Sequence, residues 1–222
     1  MTHTAQILVV SITMLTAVAS ADAQTCMGLA PFASGRIQVG AGAEFGNDAQ
    51  AFTGALSVGS RAGAFGGVSI SRASYDDPDG NATLLAGQLG WQLPLGTEGR
   101  VQLCPVGGVA YSFGPNDIES SGTDASAWLA SFGLQLGISA GTDPNFQIVP
   151  TVGAALAYLK SSFEGGFIEF DFDETFGLLN LGLGLIMNSR VSVLPVIEVP
   201  VGLEDSDPVF GIAVTVNFGP RP

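Results

Sequence analysis

An unbroken alternation runs through the final hairpin, Arg190 to Phe218, and little other than a β-sheet can accommodate it. From Val209, Phe210, Ile212, Val214, Val216 and Phe218 fall on one face, and Gly211, Ala213, Thr215 and Asn217 on the other, the period of two that marks a strand. The strand before it repeats the pattern, with Val191, Val193, Pro195, Ile197, Val199 and Val201 set against Ser192, Leu194, Val196, Glu198 and Pro200. A wholly apolar face of large side chains backed by a smaller, more polar face suits a barrel wall standing in lipid around a wet or tightly filled lumen.

The same alternation recurs upstream, so that ten strand candidates can be read: Gly35 to Phe45, Ala51 to Ser60, Ala64 to Tyr75, Thr83 to Leu93, Arg100 to Phe113, Trp128 to Ser139, Phe146 to Ser161, a strand ending at Met187, and the final pair. In Ala64 to Tyr75, Phe65 and Arg72 fall off the expected faces, which predicts a bulge. Asp76 to Asn81 reads as a turn and Gly114 to Ser126 as an acidic loop. Ser162 to Glu174, centred on Gly165 and Gly166, reads as a hairpin standing clear of the membrane. Pro105, Pro150 and Pro195 recur every 45 residues, as do Leu89, Leu134 and Leu179. Each unit holds two long strands, so the repeat reads as successive hairpins of one barrel, with local gaps or bulges where proline interrupts the ladder.

Short turns at Arg61, Gly96, Gly141 and Asn188 alternate with longer, more acidic connections at Asp48, Asp76, Asn116, Glu164 and Asp205. That asymmetry separates a short-turn rim carrying both termini from a long-loop rim. Aromatic residues near the strand ends form two expected girdles, with Trp91, Phe146 and Phe218 low and Trp128, Tyr158 and Phe210 high.

The N-terminus reads as an export signal over 1–23: an apolar run from Ile7 to Ala19, then Ala21-Asp22-Ala23 as a small-x-small cleavage pattern. A periplasmic segment over 24–34, a barrel over 35–219 and a tail over 220–222 complete the expected organisation, with the protein in the bacterial outer membrane. Beyond the signal no run approaches the roughly 20 apolar residues that a spanning helix needs. Seven Lys and Arg against 20 Asp and Glu give a net charge of −13, which argues against nucleic acid as a partner because phosphate contacts need clustered cations.

Export signal, alternation, loop asymmetry and the near-terminal Phe218 together resemble the small bacterial outer-membrane β-barrel proteins, the family of the outer-membrane protein A transmembrane domain and the outer-membrane protein X and W types. The resemblance covers Gly35 to Phe218 and is one of architecture. It implies an all-β, closed, antiparallel, up-and-down transmembrane barrel; the residues give about ten strands, and eight, the number of many relatives, is the alternative. It also implies outer-membrane lipids, lipopolysaccharide and the barrel-assembly machinery as partners, and a monomer.

Catalytic chemistry is hard to place. The only histidine, His3, lies in the expected signal, so Ser-His-Asp and Cys-His mechanisms are not open to the processed chain, which is read as no enzyme with no cofactor. Glu44, Arg72 and Glu198 are the lumen-facing candidates, Glu44 near the outer rim and Glu198 at mid-height, with pairing to Arg72 preferred over catalysis. Cys26 and Cys104 are the disulfide candidates of an exported chain. Their bond would close a loop of roughly 80 residues, worth about 4 kcal/mol in the chain-entropy model, and would fold Thr25 to Ser34 under or into the barrel as a plug. Glu169, Asp171, Asp173 and Glu174 are weak candidates for holding a divalent cation at an outer loop, against solvated surface charge as the plainer role. The leading function is a structural or surface-interaction barrel with a narrow or closed lumen. The alternatives are a small porin-like passive channel and, in another class, a soluble exported ligand-binding barrel.

Overall fold

The computed structural model describes residues 25–30, 37–47, 49–60, 63–76, 79–95, 100–114, 123–140, 145–165, 168–203 and 206–218. The expected signal, residues 31–36 and the C-terminal tail lie outside the described residues. A short 3-10 turn, Thr25–Met27, precedes strands β1 (Ile37–Phe45), β2 (Ala49–Gly59), β3 (Ala64–Asp76), β4 (Asp79–Trp91), β5 (Leu93–Leu95), β6 (Val101–Phe113), β7 (Thr123–Ile138), β8 (Phe146–Gly165), β9 (Ile168–Met187), β10 (Val191–Val201) and β11 (Val209–Phe218).

Apart from β4 and β5, which both pair with β6, every strand pairs antiparallel with its sequence neighbours, and β1 closes the sheet on β11 from Ile37↔Phe218 to Phe45↔Phe210. The β4 and β5 segments share one register on β6, Gly90↔Val106 and then Leu93↔Leu103, and so make one interrupted wall strand. The result is a closed ten-stranded up-and-down barrel.

The interruption is a proline effect. Proline has no amide hydrogen to give to a ladder, and the break between β4 and β5 lies opposite Pro105. The β9–β10 ladder likewise jumps from Val193↔Leu185 to Val196↔Gly182 across Pro195. Beside Pro150 the β7–β8 ladder stops at Gly137↔Thr151, and only a single bridge, Ala140↔Ile148, follows. The 45-residue repeat therefore marks three gaps, each toward the preceding wall strand and each without a change of register.

Two expectations are corrected along β3. Its ladders run unbroken from Ala49↔Tyr75 to Gly59↔Phe65 and from Ala64↔Trp91 to Asp76↔Asp79, so no bulge exists. Strict alternation then turns Phe65 inward and Arg72 outward. The second ladder also brings Asp76 against Asp79, which makes strand of much of the expected 76–81 turn.

Three further features concern the connections. β7 begins at Thr123, inside the expected acidic loop. β8 and β9 are 20 residues each and stay paired to Gly165↔Ile168, so the predicted hairpin is a continuation of both strands beyond neighbours such as β1, with 9 residues. Asn188 and Ser189, at φ 50° and 52°, make the tight β9–β10 turn, where Arg190 N donates to Met187 O at 3.0 Å. Two successive residues of positive φ match the right-handed twist of the flanking strands.

The outer face is apolar all round, with Val39, Leu56, Val68, Leu89, Phe132, Leu156, Leu181 and Val214 among its exposed residues. At about 25 cal/mol per Å² of apolar surface, such a belt is incompatible with water on every side. The soluble-barrel alternative fails on this face.

Candidate functional site

Inward-facing side chains fill the barrel in three groups. The lowest is the N-terminal segment. Cys26, Met27, Leu29 and Ala30 are buried, and a disulfide joins Cys26 to Cys104 of β6 across 78 positions of sequence. Phe65, Leu194 and Ala213 pack against it, and Ala30 N donates to Ser192 Oγ at 2.9 Å. Gly28 takes φ 77°, a left-handed conformation that glycine enters without a Cβ penalty. The turn that it allows lays the plug backbone against Gly184 of β9. Its residues 26–30 thus lie within the barrel, of the two places that a Cys26–Cys104 bond allowed.

Polar inward side chains stand from the short-turn rim, beside the plug, up to just beneath the upper cluster. Gln38 Nε2 donates to Asn217 Oδ1, and Thr53 Oγ1 donates to Ser71 Oγ at 2.6 Å. Gln135 lies over Gly153, where a Cβ would meet its side chain at 2.6 Å. Asn180 Nδ2 donates to Glu198 Oε2 at 3.5 Å. Glu44 and Glu198 are 2% and 1% exposed. They flank β11, opposite Gly211 and Val209 respectively, two residues apart on the same inward face. Gly211, on the β11 row next to Glu44, carries no side chain. Closure of β1 on β11 thus brings together residues that had been expected at different heights.

No cation among the described residues reaches this pair. Arg72 is exposed on the outer face, where its strand neighbours are Phe52 and Thr83, which corrects the expectation of a lumenal arginine. Its neighbours Ser71 and Ala73 are the inward residues. Arg100 and Arg190 lie exposed at the short-turn rim, and Lys160 lies outward in a 4.0 Å ion pair with Asp171.

The upper level is apolar. Leu84, Leu129, Leu159, Phe176, Leu178 and Leu203 pack into one buried cluster with small alanines from β6, β7 and β8. This interior was not foreseen. Pairs such as Leu84-Leu85, Trp128-Leu129 and Leu178-Leu179 carry large apolar groups on both faces, so alternation alone does not reveal which one points inward. Between the plug and the β4, β6, β7 and β8 walls remains a cavity of about 50 Å³, lined by Met27, Gln88, Ser131 and Gln135, room for one or two waters.

At the outer rim, the expected cation-binding carboxylates do not converge. Asp171 and Asp173 are exposed on the outward face, the latter accepting from Tyr158 Oη at 3.5 Å, while Glu174 lies on the opposite face beside Leu159. The Glu169 side chain lies outside the described residues. Period-two alternation splits such a run between two faces, and no group of three metal-ligating residues occurs among the described residues. On the outer face, Trp91, Phe146 and Phe218 lie toward the short-turn end, and Phe210 and the edge-to-face pair Trp128 and Tyr158, with ring centroids 5.5 Å apart, toward the other.

Closed antiparallel strands and an apolar outer belt define a transmembrane β-barrel of the outer-membrane type. No protein-family model and no curated protein sequence matches the chain. Among solved structures it is similar to the translocator domain of autotransporter NalP from Neisseria meningitidis, with a TM-score of 0.61 and 13% identity over 97% of this chain and 96% of that one. It also aligns with the N-terminal β-barrel domain of Pseudomonas aeruginosa OprF, with a TM-score of 0.39 and 12% identity over 83% and 98% of the two chains. The outer membrane enzyme PagL aligns over 82% and 99%, with a TM-score of 0.37 and 13% identity. Identities this low speak to fold alone.

Proposed function

We propose that the protein is a bacterial outer-membrane barrel with a structural or surface-contact role and a lumen closed to solutes. The observation that carries this reading is the filling of the lumen at two separate levels, by the disulfide-held plug below and by the Leu129 and Leu178 cluster above. Either level would block diffusion. A closed barrel leaves its outer end as the working surface, and the elongated β8–β9 hairpin is the part that reaches furthest from the shorter strands. Asn47 Nδ2 donates to Asp207 Oδ2 at 2.5 Å, tying the β1–β2 turn to the β10–β11 loop on the same rim.

The protein is read as non-catalytic. Its only histidine stands at position 3, and the remaining candidate acid-base pair, Glu44 and Glu198, is almost completely buried. Lipopolysaccharide and outer-membrane lipids are the partners that the apolar belt and the aromatic girdles fit, and the assembly machinery follows from the fold.

Liposome swelling tests the reading. Vesicles carrying the refolded barrel should hold their volume in an iso-osmotic solution of a small sugar, as empty vesicles do. Swelling would replace the closed reading with the passive channel.

A further inference from the structure

We propose that Glu44, Glu198 and Asn180 form a mid-lumen binding site for one hard divalent cation of the calcium type. Both carboxylates are almost completely buried, and Glu44 Oε1, Glu44 Oε2 and Glu198 Oε1 have no hydrogen-bond partner among the described residues. The fourth oxygen, Glu198 Oε2, receives only the 3.5 Å contact from Asn180. Buried carboxylates normally have cations or several donors. Here every described Lys and Arg lies on the outer face or at the rim, so the described residues supply none.

The donor set points to the ligand. Two carboxylates supply a charge of two, and with the Asn180 amide oxygen they offer up to five hard oxygen donors and no nitrogen or sulfur. Such a set suits calcium, whose shell of about six to eight oxygens tolerates irregular geometry and is completed by water, better than a transition metal. The Asn180 amide needs only to turn about its terminal bond to present oxygen instead of nitrogen. Gly211 of β11, opposite Glu44, carries no side chain, and the small Ala51 and Ala73 continue the row from Glu44. A proton held by each carboxyl would cancel the charge but leave the acid hydrogens and the other oxygens still without partners.

The site lies between the plug and the upper cluster, so the cation should enter during folding and leave slowly. This goes beyond the closed-barrel reading and is tested apart from it, because retention of metal does not depend on whether the lumen conducts. The full chain would be refolded into detergent in millimolar calcium or in EDTA, desalted, and assayed for bound calcium by elemental analysis and for its thermal midpoint. The expected result is one calcium retained per barrel and a higher midpoint than after refolding in EDTA, with both effects lost in Glu44→Gln and in Glu198→Gln. The surface variant Asp171→Asn/Asp173→Asn should retain the metal.

Three results would overturn the proposal. The first is a folded wild-type barrel that retains no calcium. The second is equal retention by the Glu44→Gln/Glu198→Gln double variant, which loses two buried charges and is expected to fold. The third is a midpoint that ignores calcium yet rises as pH falls, which would make the pair a proton-sharing acid couple instead.

Discussion

The backbone of Gly28 rests directly on that of Gly184, so closely that a Cβ at Gly184 would fall 1.9 Å from the Gly28 carbonyl oxygen. This contact couples the plug to the wall of β9 independently of the disulfide. Gly184→Ala should therefore push the plug out of register or strain the wall, at a cost of about 1–3 kcal/mol. Gly54→Ala, on the outer face with no heavy atom within 4 Å of the new carbon, should be neutral or slightly stabilising, since glycine within a strand costs about 0.5–1 kcal/mol relative to alanine. Reversible urea unfolding of both variants in lipid vesicles checks the contrast.

Cys104→Ser removes the covalent tie but leaves the ladders of β6 intact, because the bond is made by side chains inside the lumen. The barrel should still close and run as a folded species on a gel without heating. It should lose about 2–4 kcal/mol of stability, through greater freedom of the unfolded chain and a less firmly seated plug. A variant as stable as the wild type under oxidising conditions would contradict this.

Arg72 stands outward near the long-loop end of β3, four residues from Val68 on the same face. A long cationic side chain at that height reaches the headgroup layer while its methylenes lie along apolar neighbours. Replacing Arg72 with Leu should change folding stability in bilayers by less than about 1 kcal/mol, whereas Val68→Arg, nearer the membrane centre, should cost about 2–4 kcal/mol. Paired folding titrations into one lipid measure this depth dependence, and equal costs would place the membrane at another height.

Much of the architecture was legible because lipid on the outside and a small lumen on the inside impose opposite chemistry on alternate residues. Strands β10 and β11 state this plainly, and the prolines at intervals of 45 announced their ladder gaps before any pairing was known. Strand β3 was harder, since Gly66, Gly67, Ser69 and Ala73 are too small to mark a face, and Arg72 was then assigned by its polarity. The upper cluster was hidden for the opposite reason: neighbours such as Leu178 and Leu179 are both large and apolar. The meeting of Glu44 and Glu198 depends on the register at which β1 closes on β11, a relation between the two ends of the chain that no local pattern records.

Single-channel recording in planar bilayers tests the closed lumen most directly. With the disulfide intact the protein should be electrically silent, and it should remain silent after reduction, because the cluster around Leu129 and Leu178 still blocks the upper half. Insertion of folded barrel, shown by heat-modifiable gel mobility of the same sample, makes silence meaningful. A steady, ion-carrying open level from the oxidised protein would contradict the account and make the polar inward side chains the lining of a pore.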